Sequence, residues 1–171
     1  MPGSLIVAGA RTPIGRFNGG LASFAGAQLG AHAISHALQR AGISGEQVDH
    51  VIMGQVLQAG QGQITARQAA VGAGIPMNVP AITINKVCLS GLNAIYLADQ
   101  MISSGDADVV VAGGMESMSN APYVLPSGRN GLQMGHGELQ DAMIHDGFCL
   151  LYTSDAADEG LGVDLGGRRI I

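Results

Sequence analysis

The chain has 171 residues, enough for one ordinary domain with a sizeable core or for part of a larger one. Apolar residues make up 47% and argue against disorder, whereas charged residues make up only 12%, about half the usual fraction, so little charge is available to hydrate a surface and much of it is expected to be covered by further chain or a partner subunit. The formal net charge of -5, with scattered Lys and Arg, excludes a basic footprint for nucleic acid, and the two cysteines lack the spacing of a disulfide framework or structural zinc site.

Along the chain, "SLIVAGA" reads as a short buried strand, closed by the turn-like "RTPIG" and "NGG". No basic segment precedes it and no apolar run reaches membrane-spanning length, so the expected compartment is the reducing cytoplasm. Phe24, Ala27, Ala31, Ile34 and Leu38 then recur at helical spacing, with Gly42 placed to end the helix. Ser44 and Gln47 form a small capping box ahead of a second strand, "VDHVIMGQV". Residues 62–74 read as an Ala-rich helix and "PAITIN" as a third strand.

"LSGLNAIYLADQMISSG" reads as a third helix, closed by Gly105, whose apolar residues Leu89, Leu92, Ile95, Leu97, Met101 and Ile102 are not confined to one stripe. Such a helix is expected to be buried between layers. "DVVVAGG" is a fourth strand without alternation, as in a sheet covered on both faces. Strand and helix alternating in this way predict an α/β fold with parallel pairing. From Gly113 the texture turns to Met, Gly, Pro and Asn, an excursion away from the sheet, and the tail from residue 149 changes again to an acidic block, glycines and two arginines.

Cys88 follows "PAITINKV" and precedes the third helix, which predicts a place at that helix's first turn. Unpaired amides and the helix dipole there favour a thiolate. Small neighbours, Ser90 and Gly91, leave room for a carbonyl to approach, the arrangement that thioester-forming acyl transfer requires. On spacing alone the alternative, a small buried hydrophobe, stays open. Cys149 has no helix or strand start to position it, and His32, His36 and His50 read as surface or satisfied histidines. His136 and His145 fall in the excursion, where they could reach a ligand, but nothing nearby completes a metal set or a Cys-His dyad. Neither "GQVLQAGQGQ" nor "VAGGMES" is a phosphate loop.

Four blocks in order, "ARTPIGRFNGGL", "MGQVLQAGQGQITARQAA", "INKVCLSGLNAI" and "VVVAGGMESMSNAPY", closely resemble the N-terminal part of the thiolase family, over about Leu5 to Phe148. The resemblance implies a layered α/β fold, of which this would be the N-terminal half, with a mostly parallel mixed sheet and helices on both faces. Its implied domains are residues 5–119 as the α/β domain, 120–148 as the start of a coenzyme A-binding loop domain, and 149–171 as a tail unlike the family.

Cys88 is implied as the nucleophile that takes the acetyl group of acetyl-CoA and passes it to a second acetyl-CoA, giving acetoacetyl-CoA, or runs the reverse thiolysis. The implied activity is acetyl-CoA C-acetyltransferase, with a 3-ketoacyl-CoA thiolase of broader chain length, or a non-catalytic acyl-CoA-binding or scaffold domain, as alternatives. Family members are homodimers or homotetramers, use no organic or metal cofactor, and take coenzyme A only within the substrate. Their second half carries an Asn-Glu-Ala-Phe type block, a Gly-His-Pro block and a Cys-x-Gly block, none of which occurs in this sequence. Activity of these residues alone is therefore expected to be negligible. The tail is expected to be non-native sequence.

Overall fold

The structure, a computed structural model, describes residues 4–148. Cys149 and the proposed tail lie outside the described residues. Contacts divide the chain into two units, Met1–Pro122 and Tyr123–Ile171.

In the first unit, runs rich in Val and Ile form three parallel strands, β1 (His50–Gly54), β2 (Ala81–Ile84) and β3 (Val110–Gly114), in the order β2-β1-β3. Alternation along β1 sends its side chains into two clusters. Val51 and Met53 pack with Ile34 and Leu38 of helix α1 (Gly26–Ala41) and with Ala66, Ala69 and Ala70 of α2 (Thr65–Gly72). Ile52 packs with Ala94 and Ala98 of α3 (Ser90–Ser104). The sheet is thus covered by helices on both faces, the α/β arrangement expected. Full burial of a side chain such as Ile52, which is 2% exposed, contributes about 1.5–3 kcal/mol.

The helix ends follow local chemistry. Gly42 stops α1 in the left-handed region at φ 67, where its lack of Cβ avoids strain. Gln47 Oε1 accepts the Ser44 amide at 2.9 Å, the expected capping contact, around a single 3-10 turn (Gly45–Gln47). The start of α2 is capped from outside: the Ala66 amide donates to the Thr83 hydroxyl of β2 at 2.8 Å. This helix is shorter than the expected 62–74, because the chain ahead of it passes through Ile64 at φ 41. Phe24, expected on the buried stripe of α1, precedes that helix and is exposed.

Two expectations are corrected. Residues 4–10 form no strand, and Leu5, Ile6 and Val7 are exposed. Their local pattern suits a strand, but a strand needs a hydrogen-bonding edge, and a cavity of about 920 Å³ is lined on one side by Ser4–Val7 and on another by Val109 and by Val110, Val111 and Ala112 of the edge strand β3. Helix α3 is also not enclosed. Its buried face consists of Ser90, Ala94 and Ala98, while Leu89, Leu92, Ile95 and Tyr96 are exposed. Leu97 and Met101 pack partly buried beside Ala94 and Ala98 against the Ile52 cluster, so cover among the described residues reaches only one side of the helix.

Asp49, just before β1, links the starts of two strands. Its Oδ2 accepts the amides of Asp108 and Val109, both at 2.9 Å, and these bonds, that to Val109 foremost, lower its pKa from 3.8. A folded-state pKa below the unfolded one gives stability that is present above pH 3.8 and lost as pH falls through the folded value. Asp49→Ala is expected to lower the melting temperature at neutral pH, and the difference from the parent should shrink toward zero in acid. An equal difference at all pH values would contradict this.

The second unit contains an antiparallel pair, β4 (Tyr123–Val124) with β5 (Gln140–Asp141), a 3-10 turn (Gly128–Asn130) and a π-helical turn (Met143–Phe148).

Candidate active site

The carboxyl ends of the three strands meet the start of α3. Gly54 pairs with Ile84 and with Gly114, the last residues of their strands. A Cβ on Gly54 would stand 2.5 Å from the Ser90 carbonyl carbon and 2.7 Å from the Gly91 nitrogen. Gly114 and Gly91 stand in a similar relation, a Cβ on Gly114 lying 3.3 Å from Gly91 Cα. Strand and helix therefore touch backbone to backbone, which only residues without side chains permit.

Between β2 and α3 the chain makes a tight turn. Val87 is left-handed at φ 51, which for a β-branched residue costs about 1–3 kcal/mol and marks sites where backbone strain is put to use. Side chains on either side hold it. The Val87 amide donates to Asn85 Oδ1 at 2.9 Å, and the buried Ser90 hydroxyl donates to the Val87 carbonyl at 2.6 Å while accepting the Lys86 amide at 2.8 Å. Cys88 follows as an exposed free thiol.

It stands two residues ahead of Ser90, the first residue of α3, rather than within the first helical turn as expected. The amides of Leu89 and Ser90 are not free for an anion either, since they donate to the Lys86 and Val87 carbonyls, both at 3.1 Å. Presentation of the thiol thus comes from a strained strand-to-helix turn more than from helix-end amides.

A carboxylate braces the loop after β1, to which Asn85 is joined. Glu116, two residues beyond β3, accepts the Val56 amide at 2.8 Å on Oε2 and the Leu57 amide at 3.2 Å on Oε1. Burial raises its pKa above the ordinary 4.5, and the two amide bonds oppose that rise. Asn85 Nδ2 in turn donates to the Val56 carbonyl at 3.4 Å. Downstream, Ser117 Oγ donates to the Phe24 carbonyl at 2.8 Å and Asn120 Nδ2 to the Ala22 carbonyl at 2.8 Å, fastening the loop after β3 to the segment that opens α1.

Within the first unit, the other candidates do not join Cys88. His32 and His36 lie exposed on α1 with ring centroids 4.3 Å apart, and His36 Nδ1 contacts the His32 carbonyl at 2.9 Å. His50 opens β1, its pKa lowered by burial and then by nearby Arg67. In the second unit His145 Nδ1 lies 2.9 Å from Asp146 Oδ1, and His136 is exposed. No group of three or more His, Cys, Asp and Glu among the described residues is placed to hold a metal ion, and no described helix is long and apolar enough to cross a membrane. Asn85 and Glu116 escaped the sequence reading. The signal for Asn85 was available, since an Asn two residues before a turn residue commonly accepts that residue's amide.

A family model described as "Thiolase, N-terminal domain" matches residues 4–159. The chain belongs to the thiolase family. Among curated proteins, this thiolase chain is 55% identical over 149 residues to a probable acetyl-CoA acetyltransferase of Mycolicibacterium smegmatis, covering 87% of the chain and 38% of that relative. It is 56% identical over 143 residues to an acetyl-CoA acetyltransferase of Pseudomonas aeruginosa, covering 84% of the chain and 36% of the relative. A probable acetyl-CoA acetyltransferase of Escherichia coli is 50% identical over 143 residues, again 84% of the chain and 36% of the relative. The thiolase chain therefore spans less than two-fifths of the length of these relatives.

Proposed function

We propose that these residues are the nucleophile-bearing part of an acetyl-CoA C-acetyltransferase, with Cys88 as the acyl acceptor. The observation that supports this most is the exposed thiol on a strained turn between β2 and α3, in a chain at least 50% identical to proteins named for that activity. In the reaction, Cys88 Sγ as thiolate attacks the acetyl-CoA carbonyl, the bond to the coenzyme A sulfur breaks, and coenzyme A leaves as a thiol once protonated. A second acetyl-CoA then loses an α proton to a base, and its carbanion attacks the acetyl-Cys88 carbonyl. A carbon–carbon bond forms, the Cys88 Sγ–carbonyl bond breaks, and acetoacetyl-CoA departs. Thiolysis is the same path reversed.

Residues 5–119 form the α/β domain in this reading and 120–148 open the coenzyme A-binding loop domain. The base and the proton donor come from sequence beyond these residues, and the working form is a cytoplasmic homo-oligomer. In the full-length protein, thiolysis of acetoacetyl-CoA is expected to exceed that of longer 3-ketoacyl-CoA esters by roughly tenfold or more in kcat/KM. A preference for longer chains would replace this reading with that of a broad 3-ketoacyl-CoA thiolase. A polypeptide of these 171 residues alone is expected to turn over at least about a thousandfold more slowly than the full-length enzyme, the size of the missing acid–base contribution. Sustained acetoacetyl-CoA formation by it would refute that expectation.

A further inference from the structure

We infer that Asn85 and Glu116 are positioning residues for the Cys88 thiol, acting through the backbone of Val87. The inference rests on the reading of Cys88 as the acyl acceptor and adds what holds it in place.

The turn that presents Cys88 is unfavourable by itself, because Val87 occupies a left-handed conformation that β-branched side chains avoid. Such a conformation persists only where the surroundings over-determine it. Here the surroundings can be followed bond by bond. The Val87 amide is held by Asn85 Oδ1 and the Val87 carbonyl by the Ser90 hydroxyl. Ser90 is 3% exposed and wedged against Gly54, so its end of the turn is fixed by packing.

Asn85 is exposed and has no packing of that kind. What orients its amide group is the Val56 carbonyl at 3.4 Å, and what orients Val56 is Glu116, whose two oxygens hold the amides of Val56 and Leu57. The Gln55 amide donating to the Ile84 carbonyl, and the Met115 amide donating to the Gly54 carbonyl, both at 2.9 Å, join the same three strand ends. A line of hydrogen bonds thus runs from the end of β3, across the loop after β1, to the residue before Cys88. A nucleophile displaced by about 1 Å can lose on the order of a hundredfold in rate, so this line should be visible in catalysis.

The test uses the full-length enzyme with Asn85→Ala, Asn85→Ser, Glu116→Ala and Cys88→Ala, reading kcat and KM for acetoacetyl-CoA thiolysis, the iodoacetamide alkylation rate of Cys88, and the melting temperature. Asn85→Ala is expected to lose roughly tenfold to a hundredfold in kcat with KM unchanged, and to slow alkylation. Asn85→Ser, whose hydroxyl can accept the amide two residues on as Asn85 does, is expected to recover most of that loss. Glu116→Ala should move kcat and alkylation in the same direction as Asn85→Ala. Wild-type kcat and alkylation in Asn85→Ala, or equal losses in the Ala and Ser variants, would overturn the inference. If Asn85→Ala does not fold, the comparison of Asn85→Ser and Glu116→Ala with the parent decides, and parental values in both would overturn it. Failure of the underlying reading looks different, since Cys88→Ala would then keep its turnover.

Discussion

Gly54→Ala is expected to destabilise the protein by about 3 kcal/mol or more and to abolish acyl transfer with it. The added Cβ would lie 2.5 Å from the Ser90 carbonyl carbon, 2.6 Å from Ser90 Cβ and 2.7 Å from the Gly91 nitrogen. Overpacking costs typically 1–3 kcal/mol when side chains can shift. Two of these three neighbours are helix backbone, so relief requires α3 to lift from the sheet. That movement would uncover Ala94 and Ala98 and carry Cys88 with it. Gly114→Ala is the graded comparison: its Cβ would meet Gly91 Cα at 3.3 Å, tight but within reach of a small adjustment, and the loss should be about 1 kcal/mol. Urea unfolding of the full-length protein checks both, and a Gly54→Ala variant as stable as the parent would show that the strand–helix contact is looser than described.

The opposite division of effects is expected at Cys88. Cys88→Ala should lower acetyl transfer by at least about a thousandfold, because in the proposed reaction the covalent step runs through its thiolate, while stability changes by less than about 0.5 kcal/mol, as for an exposed side chain. Cys88→Ser should behave alike, since a hydroxyl in place of a thiol is far less ionised at neutral pH. A variant that loses fold and activity together would make Cys88 a structural residue instead. Gly54 and Cys88 thus separate what holds the turn from what reacts at it.

The sequence showed much of this architecture for definite reasons. The capping pair Ser44 and Gln47, the stop at Gly42 and the unalternating run before Gly114 are local signals, and they stand where local chemistry places them. The fate of residues 4–10 is not local. Leu5, Ile6 and Val7 carry a strand-like pattern, but pairing depends on an edge, and the cavity lined by these residues and β3 cannot be inferred from neighbours in sequence. Helix α3 misled for a related reason: an all-round apolar helix signals cover, whereas the described residues supply it only on the Ala94–Ala98 side.

At the site, the place of Cys88 between a strand and a helix was legible, although the thiol stands two residues ahead of α3 and not in its first turn. The strain at Val87 was not, because Val favours extended backbone and nothing in "NKVCLSG" announces a left-handed residue. Glu116 was hidden by its separation from Val56 in sequence, sixty positions away.

Whether Cys88 carries the acyl group is decided by quenching the full-length protein during turnover with acetyl-CoA and locating the adduct by peptide mass spectrometry. An acetyl thioester on Cys88 that hydroxylamine removes is the expected result. Sustained turnover with no adduct, or with the acetyl group on another residue while Cys88 stays free, would contradict it.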